Sequence, residues 1–288
     1  MPGSAEPVSL FVVHWNRPDE CVRTVRALLD QSVPLQVTVI DNDSAADSCE
    51  ALRSQIGPGI EILRLPENKG WGPALNVALR DWLQSGQSSY CLISAHDAAP
   101  SAGCVALLRE AMERDPRLGI VCPQYPDASV PHFTSVRGVQ LRQGVPLERG
   151  VAEGIDVPHG TLMMLRRECL AQIGLFDERY FAYGDEHELG ARAVRHGWKV
   201  ALVWGALVIN PGTATPSAWR SYLFARNSLL LVHDYFGSAA ATARALLISI
   251  NTVRLALARE SDFAFSARAR FQAVRDYFSG RFGPPRLP

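Results

Sequence analysis

The densest chemistry in this sequence lies between Gly174 and Trp198, read as GLFDERYFAYGDEHELGARAVRHGW. Three carboxylates, Asp185, Glu186 and Glu188, fall within four positions. They follow an aromatic, glycine-punctuated loop (Tyr180 to Gly184) and run into Leu189, Ala193 and Val194, which repeat at helical spacing. The acids therefore open a helix. One reading makes them a solvated cap that meets the unpaired first-turn amides and the positive end of the dipole. The other notes that mutual repulsion and partial desolvation beside Tyr183 and His187 raise a carboxyl pKa, which suits a general base.

Positioning such groups needs a scaffold, and the N-terminal half supplies one. Val8 to His14 is an apolar run suited to a buried parallel strand. A helix starting at Pro18 or Asp19 carries Val22, Val25, Leu28 and Leu29 on one side, and Val37 to Ile40 is a second buried strand. Strand, helix, strand over about thirty residues is a parallel βαβ unit. Its ligand site lies by rule at the carboxyl ends of the strands, where Trp15-Asn16-Arg17-Pro18 and Asp41-Asn42-Asp43-Ser44 fall. A third strand, Ile60 to Leu65, precedes ENKGWGPALN, whose glycines allow close backbone approach at a helix start that suits an anion. A fourth, Tyr90 to Ser94, ends in Ala95-His96-Asp97, and a helix follows near Ser101 to Met112. Asp41 and Asp97 each have a plain reading as turn or helix caps.

Taken together, several phrases resemble the inverting family-2 glycosyltransferases, the rhamnosyltransferase-like branch especially. The acidic stretch is similar to that family's G-x-F-D-E-x-F-F-x-Y-x-E-D-x-D-L, VVHWNRP and VTVIDNDS to its first two strand ends, and HGTLMMLRR and YLFARN to two later phrases. The resemblance spans roughly Val8 to Asn227 and implies an α/β fold of GT-A type: a Rossmann-like mixed, mostly parallel sheet flanked by helices, with a helical C-terminal extension. It implies a UDP- or dTDP-sugar donor, held by Asn16, Asp41, Asn68, Gly70, Asn76, Asp97 and Arg226. Asp41 would accept from a pyrimidine N3–H, a donor that cytosine lacks. It implies Glu186, or Asp185 because the acid order is exchanged here, as the base for an acceptor hydroxyl. It also implies a divalent cation, Mn or Mg, on Asp97 and His96, since hard cations want oxygen and manganese accepts imidazole. Asn210-Pro211-Gly212 stands where a further metal-facing histidine is expected. Arg226 reads equally as a diphosphate contact or as the partner of an acid, and Lys69 reads as solvated.

Twenty-nine basic and twenty-nine acidic residues give zero net charge, which calls for no nucleic-acid partner. Six scattered cysteines without a C-x-x-C pair read as buried thiols of a reducing cytosol. No basic, apolar leader opens the chain and no apolar run has spanning length, so a cytoplasmic protein, at most peripheral at the inner face of the membrane, is expected. Gln124 to Val157 reads as a loop or hairpin bordering a cleft, Ile155 to Leu165 and Trp198 to Ile209 as strands. Residues 1–215 form the catalytic unit and 216–288 a helical extension, with helices at Trp219 to Tyr235, Ala239 to Arg259 and Phe263 to Tyr277. That extension packs on the catalytic unit or makes a homodimer, in preference to membrane contact. The acceptor is a glycan, lipid-linked or small-molecule hydroxyl. The rival reading is a glycosyltransferase-like module that binds nucleotide or a partner without turnover, motivated by the thinned metal motif.

Overall fold

Burial on both faces of the first strand sets the architecture. Val8, Leu10 and Val12 of β1 (Val8–His14) enter one hydrophobic cluster, and Phe11 and Val13 enter another, so the sheet is covered on both faces. The computed structural model describes residues 7–86, 88–210, 215–258 and 266–287. In chain order the elements are β1, α1 (Pro18–Leu29), β2 (Leu35–Asp41), α2 (Ala46–Gln55), β3 (Glu61–Arg64), α3 (Gly72–Ser85), β4 (Tyr90–Ala95), β5 (Ala99–Pro100) and α4 (Cys104–Arg114). Then come β6 (Leu118–Gln124), β7 (Ser129–Thr134), β8 (Gly138–Gln143), β9 (Ala152–Gly154), β10 (Leu162–Arg166) and α5 (Arg167–Ile173). The chain closes with α6 (Asp185–Arg195), β11 (Lys199–Ile209), α7 (Ser217–Ala258) and α8 (Ala267–Phe278).

The main sheet runs β3-β2-β1-β4-β10-β6-β11-β5, with β9 paired to β11. Neighbours among β3, β2, β1 and β4 are parallel, as are β6 and β11, while β10 is antiparallel to both β4 and β6. The order in which strands join the sheet reverses between β1 and β4, and the crevice at such a reversal is where α/β proteins take ligands. Register makes that crevice orderly: His14 is level with Asp41, Asp41 with Arg64, and Val13 with Ala95. The polar phrases that follow each strand therefore emerge side by side.

Helix α1 starts where Pro18 fixes the first turn and Asp19 and Glu20 face the amino end. It buries Val22, Val25 and Leu28, but Leu29 points outward at 45% exposure, a correction to its expected place on the core face. Thr24 on the same helix donates to the carbonyls of His96 and Ala98 (2.7 and 2.9 Å), so α1 pins the turn after β4. The strand expected over Ile155 to Leu165 begins only at Leu162. The Arg-Arg pair that follows it is structural: Arg166 donates to the carbonyls of Leu118, Met112 and Asp115, and Arg167 stacks on Trp82 at 4.0 Å.

Residues 124–157 do contain a hairpin, β7 with β8, but it packs through Phe133 on Tyr235 and Phe236 rather than over the crevice. The two C-terminal helices expected on either side of residue 237 are present as the two arms of α7, separated at Gly237 where φ 85° and ψ 174° leave the helical region. A bond from Arg244 to Ser228 Oγ (2.9 Å) shows that the second arm folds back along the first. Residues 259–265, which hold Arg259 and the expected start of the last helix at Phe263, lie outside the described residues.

Asn76, expected at the nucleotide, instead ties α3 to the chain before α6. Its Oδ1 accepts from Phe176 N (3.0 Å) and its Nδ2 donates to Phe176 O (2.9 Å), at 1% exposure. Removing the carboxamide strands a buried amide and carbonyl. Asn76→Ala is expected to cost about 2–4 kcal/mol of unfolding free energy in urea titrations.

Candidate active site

A cavity of about 340 Å³ opens at the carboxyl ends of β1 and β4, within the usual size of a small-molecule site. Trp15, His96 and Asp97 form its sheet side, Asn68 and Gly70 one flank, and Asp185 and Glu186 the facing wall. Residues far apart in sequence thus meet around one space. Asn16, Asp41, Asn76 and Arg226 do not line it.

The loop of residues 180–184 that leads into the wall is held from two sides. On one side Gly70 (φ 90°) comes so close that an added Cβ would sit 1.8 Å from Phe181 O. Trp71 N donates to that carbonyl (2.8 Å), and Gly72 N donates to Asp185 Oδ2 (2.8 Å). The acidic group at the start of α3 is therefore the protein's own carboxyl. On the other side Asn227 Nδ2 donates to the carbonyls of Ala182 and Tyr183, both at 2.8 Å. Tyr183 (φ 63°) and Gly184 (φ 103°) take left-handed conformations between these clamps, a strain that only well-held loops retain.

Arg226, expected either at the diphosphate or paired with an acid, sits behind that clamp and does not line the cavity. It is fully buried, donating from Nε to Asn227 Oδ1 (3.0 Å) and from Nη1 to Gly283 O (2.7 Å). Asn42, which the sequence presents as one more turn residue, organises the flank on which Asn68 lies. It donates to Asn68 Oδ1 (3.0 Å) and Gly70 O (2.7 Å) and accepts from Lys69 N (2.9 Å). Lys69 itself pairs with Glu67 at 2.9 Å.

Asp41, expected at a nucleoside base, is fully buried at the end of β2 and does not line the cavity. Its Oδ1 accepts from Ser44 N (3.1 Å) and lies 3.4 Å from His14 Nδ1. His14 Nε2 accepts from Arg17 N (3.2 Å), which leaves the ring hydrogen on Nδ1, toward Asp41. Burial pushes the Asp41 carboxyl up, but hydrogen bonds from His14, Ser44 and Cys49 outweigh it and hold the group well below the usual range. Asn16 (φ 53°), expected at the donor, bridges the two strand ends instead. It receives Ala45 N on its Oδ1 (2.8 Å) and donates its backbone N–H to Ser44 Oγ (3.0 Å).

The three acids that open α6 divide. Asp185 is 1% exposed, and burial, then the neighbouring Glu186 charge, push its carboxyl well above the ordinary range. Glu186 faces the cavity, its Oε2 accepting from Gly184 N (3.0 Å) and its Oε1 3.6 Å from His187 Nε2. Glu188 turns away into a bidentate pair with Arg192 (2.7 and 3.0 Å) and accepts from Tyr235 OH (3.1 Å), so it belongs to packing, not to the acid cluster. Gly160 lies opposite Glu186: a Cβ there would stand 3.5 Å from the Glu186 carboxyl carbon.

His96 Nδ1 meets Val13 O at 3.2 Å; a carbonyl only accepts, so Nδ1 carries the hydrogen and Nε2 keeps its lone pair. Burial lowers the His96 pKa and raises that of Asp97. Among the described residues no three His, Cys, Asp or Glu side chains group as a metal cage. Asn210 stands on the cavity wall and donates to Thr161 Oγ1 (3.2 Å); Pro211 and Gly212 lie outside the described residues.

Sequence reasoning missed Tyr125, His159 and Trp219 as lining residues. Tyr125 stacks on His159 (4.2 Å) and bonds Thr161 Oγ1 (2.6 Å). Its signal is the apolar run Leu118 to Cys122, a strand whose end it follows. His159 Nε2 donates to Pro123 O (2.6 Å), and burial pushes its pKa down to about 4.

A family model described as glycosyl transferase family 2 matches residues 9–174. The N-acetylglucosaminyl-diphospho-decaprenol L-rhamnosyltransferase of Mycobacterium tuberculosis is 27% identical over 207 residues, which cover 62% of this chain and 66% of that protein. The chain thus matches just under two thirds of that relative's length. Among solved structures, the mannosyltransferase PcManGT from Pyrobaculum calidifontis, in complex with GDP-Man and Mn2+, superposes with a TM-score of 0.62 at 15% identity, covering 97% of this chain and 89% of that one. S. aureus TarS in complex with UDP-GlcNAc gives 0.55 at 14% identity, covering 95% and 81%. At these identities the structural likeness is one of fold, and that fold is the GT-A arrangement expected from the sequence.

Two outcomes check the site. Gly70→Ala forces the flank off Phe181 and is expected to cost about 2 kcal/mol or more of unfolding free energy in urea titrations. His159 is neutral when folded and gains a proton on unfolding below its ordinary value of 6.5, so its contribution to stability is lost as pH falls from 6.5 toward 4. His159→Gln should flatten the fall of unfolding free energy between about pH 6 and 5 by up to about 1.4 kcal/mol per pH unit.

Proposed function

This chain belongs to glycosyl transferase family 2, and from that premise we propose that it transfers a sugar, rhamnose or another deoxysugar, from a UDP- or dTDP-sugar to an acceptor hydroxyl with inversion. One observation carries the reading: Glu186 and the His96-Asp97 turn, far apart in sequence, line the same cavity. The pyrimidine donor rests on the sequence resemblance, and the choice of sugar on the rhamnosyltransferase relative.

Glu186 takes the proton of the acceptor hydroxyl as that oxygen bonds to the anomeric carbon. The bond from this carbon to the diphosphate breaks on the opposite face, which inverts the centre. Asp185, buried and with its carboxyl pKa raised by that burial, positions Glu186 by holding the first turn of α6 against Gly72 N. Gly160 lets Glu186 and Trp71 pack close to the backbone, where a Cβ would already touch both.

The donor set on the sheet side fits a divalent cation shared with the substrate. Asp97 offers carboxylate oxygen and His96 its Nε2 lone pair, and hard cations at such sites take their remaining oxygens from substrate phosphates. Bound there, Mn2+ or Mg2+ would offset the charge that develops on the leaving diphosphate. The lack of a third protein ligand among the described residues is what favours the second reading, a module that binds nucleotide without turnover.

The test offers dTDP-rhamnose and UDP-sugars to the purified chain, with Mn2+ or with chelator. Glu186→Gln is expected to lower kcat by about 10²- to 10⁴-fold with nucleotide affinity retained. Asp185→Asn should keep the larger share of kcat while losing stability. Transfer that survives Glu186→Gln would move the base elsewhere, and tight nucleotide binding without turnover on any acceptor would favour the binding module.

A further inference from the structure

The second arm of α7 is apolar on two faces. Ala241, Ala245, Ile248 and Thr252, at helical spacing, are buried, and Ala245 and Ile248 join a cluster with residues of the first arm and α8. The other face is open to solvent and carries Leu246 (60% exposed), Ile250 (65%), Val253 (48%) and Leu257 (78%). Such a stripe on a chain of ordinary composition marks an interaction surface. Helix α8 leaves a second pattern outward, Arg268, Phe271, Arg275 and Phe278, in which cations and rings alternate at helical spacing.

Charge decides the occupant. Residues 239–288 hold eight arginines, no lysine and three acids, a net charge of +5 within a chain that is neutral overall. One of those acids, Asp276, is buried and bonded to Tyr222 OH. A second copy of the chain on this face would set like charges against each other across a two-fold axis. An anionic bilayer would instead match the arginines and receive the aliphatic side chains below its headgroups. By length and composition α7 could cross a membrane. Its break at Gly237, the packing of its second arm on the first, and Arg244 and Arg254 within that arm argue for lying on a surface instead.

We propose that the outward face of the second α7 arm, with the arginine and phenylalanine row of α8, docks this protein on an anionic phospholipid surface. The fold sets that surface near the cavity. Because the second arm returns along the first, Ile250 to Leu257 lie beside the end of α7 whose Trp219 and Leu223 line the cavity, and Ser266 N bonds Ser221 Oγ (2.9 Å) at the same end. Under the sugar-transfer reading, on which this clause rests, an acceptor anchored in the bilayer would reach Glu186 without leaving it.

The full chain is sedimented with neutral phosphatidylcholine vesicles and with vesicles carrying about 30% phosphatidylglycerol. Binding to the anionic vesicles is expected, falling with added salt, and falling at least about tenfold in the doubly substituted Ile250→Glu, Leu257→Glu protein and in Arg254→Glu, Arg275→Glu. Nucleotide binding by each variant, which reads the cavity alone, confirms that the fold is intact and separates this result from the fate of the transfer reading. Equal sedimentation with both vesicle types, or unchanged binding by the Ile250→Glu, Leu257→Glu protein, overturns the proposal. So does a wild-type dimer that ignores vesicles and that the same double substitution dissolves, which would give the face to a second copy.

Discussion

The site depends on a backbone contact that tolerates no side chain. Where Gly70 meets the carbonyl of Phe181, the loop after β3 and the loop before α6 lie closer than any Cβ allows, and the amides of Trp71 and Gly72 bond across the join. Everything on the acidic wall inherits its position from that seam. Asn227 closes it from the far side, so the left-handed turn at Tyr183 and Gly184 is set by tertiary contacts rather than by its own preference. The long C-terminal helix thereby becomes part of the site's frame, and it lends Trp219 and Leu223 to the cavity lining as well.

Two buried aspartates show how partners decide charge. Asp41 and Asp185 are both almost without exposure, yet their carboxyl pKa values are driven in opposite directions, the first down and the second up. Asp41 has the ring hydrogen of His14 and the Ser44 amide beside it, which stabilise negative charge. Asp185 has the Gly72 amide but an acidic neighbour, so desolvation wins. Adjacent carboxyls at the start of α6 can therefore take separate duties, one structural and one facing the cavity.

The sequence is most legible where a residue's job is local. β1 falls on its expected residues, and the parallel βαβ order follows from short apolar runs that end in polar turns. His96, Asp97, Gly70 and Glu186 reach the cavity because strand ends and helix starts carry direction as well as identity. What fails are inferences that need the third dimension. Asn76 and Arg226 sit in phrases that resemble nucleotide-binding ones, yet both are spent on partners that only the folded chain brings to them. Glu188 reads like its neighbours in sequence, but a step of roughly a hundred degrees per residue sends it to Arg192 and Tyr235. Helix α2 escapes a reading by pattern because it is short and weakly amphipathic.

The start of α3 carries one last implication. Of its first two positions, Gly72 has its amide engaged by Asp185 and Pro73 has none to give, so a dipole end that looks made for phosphate is already capped from within. The turn after β4 is held differently, by Thr24 of α1, so the first helix of the chain, which does not line the cavity, decides how His96 and Asp97 are presented to it.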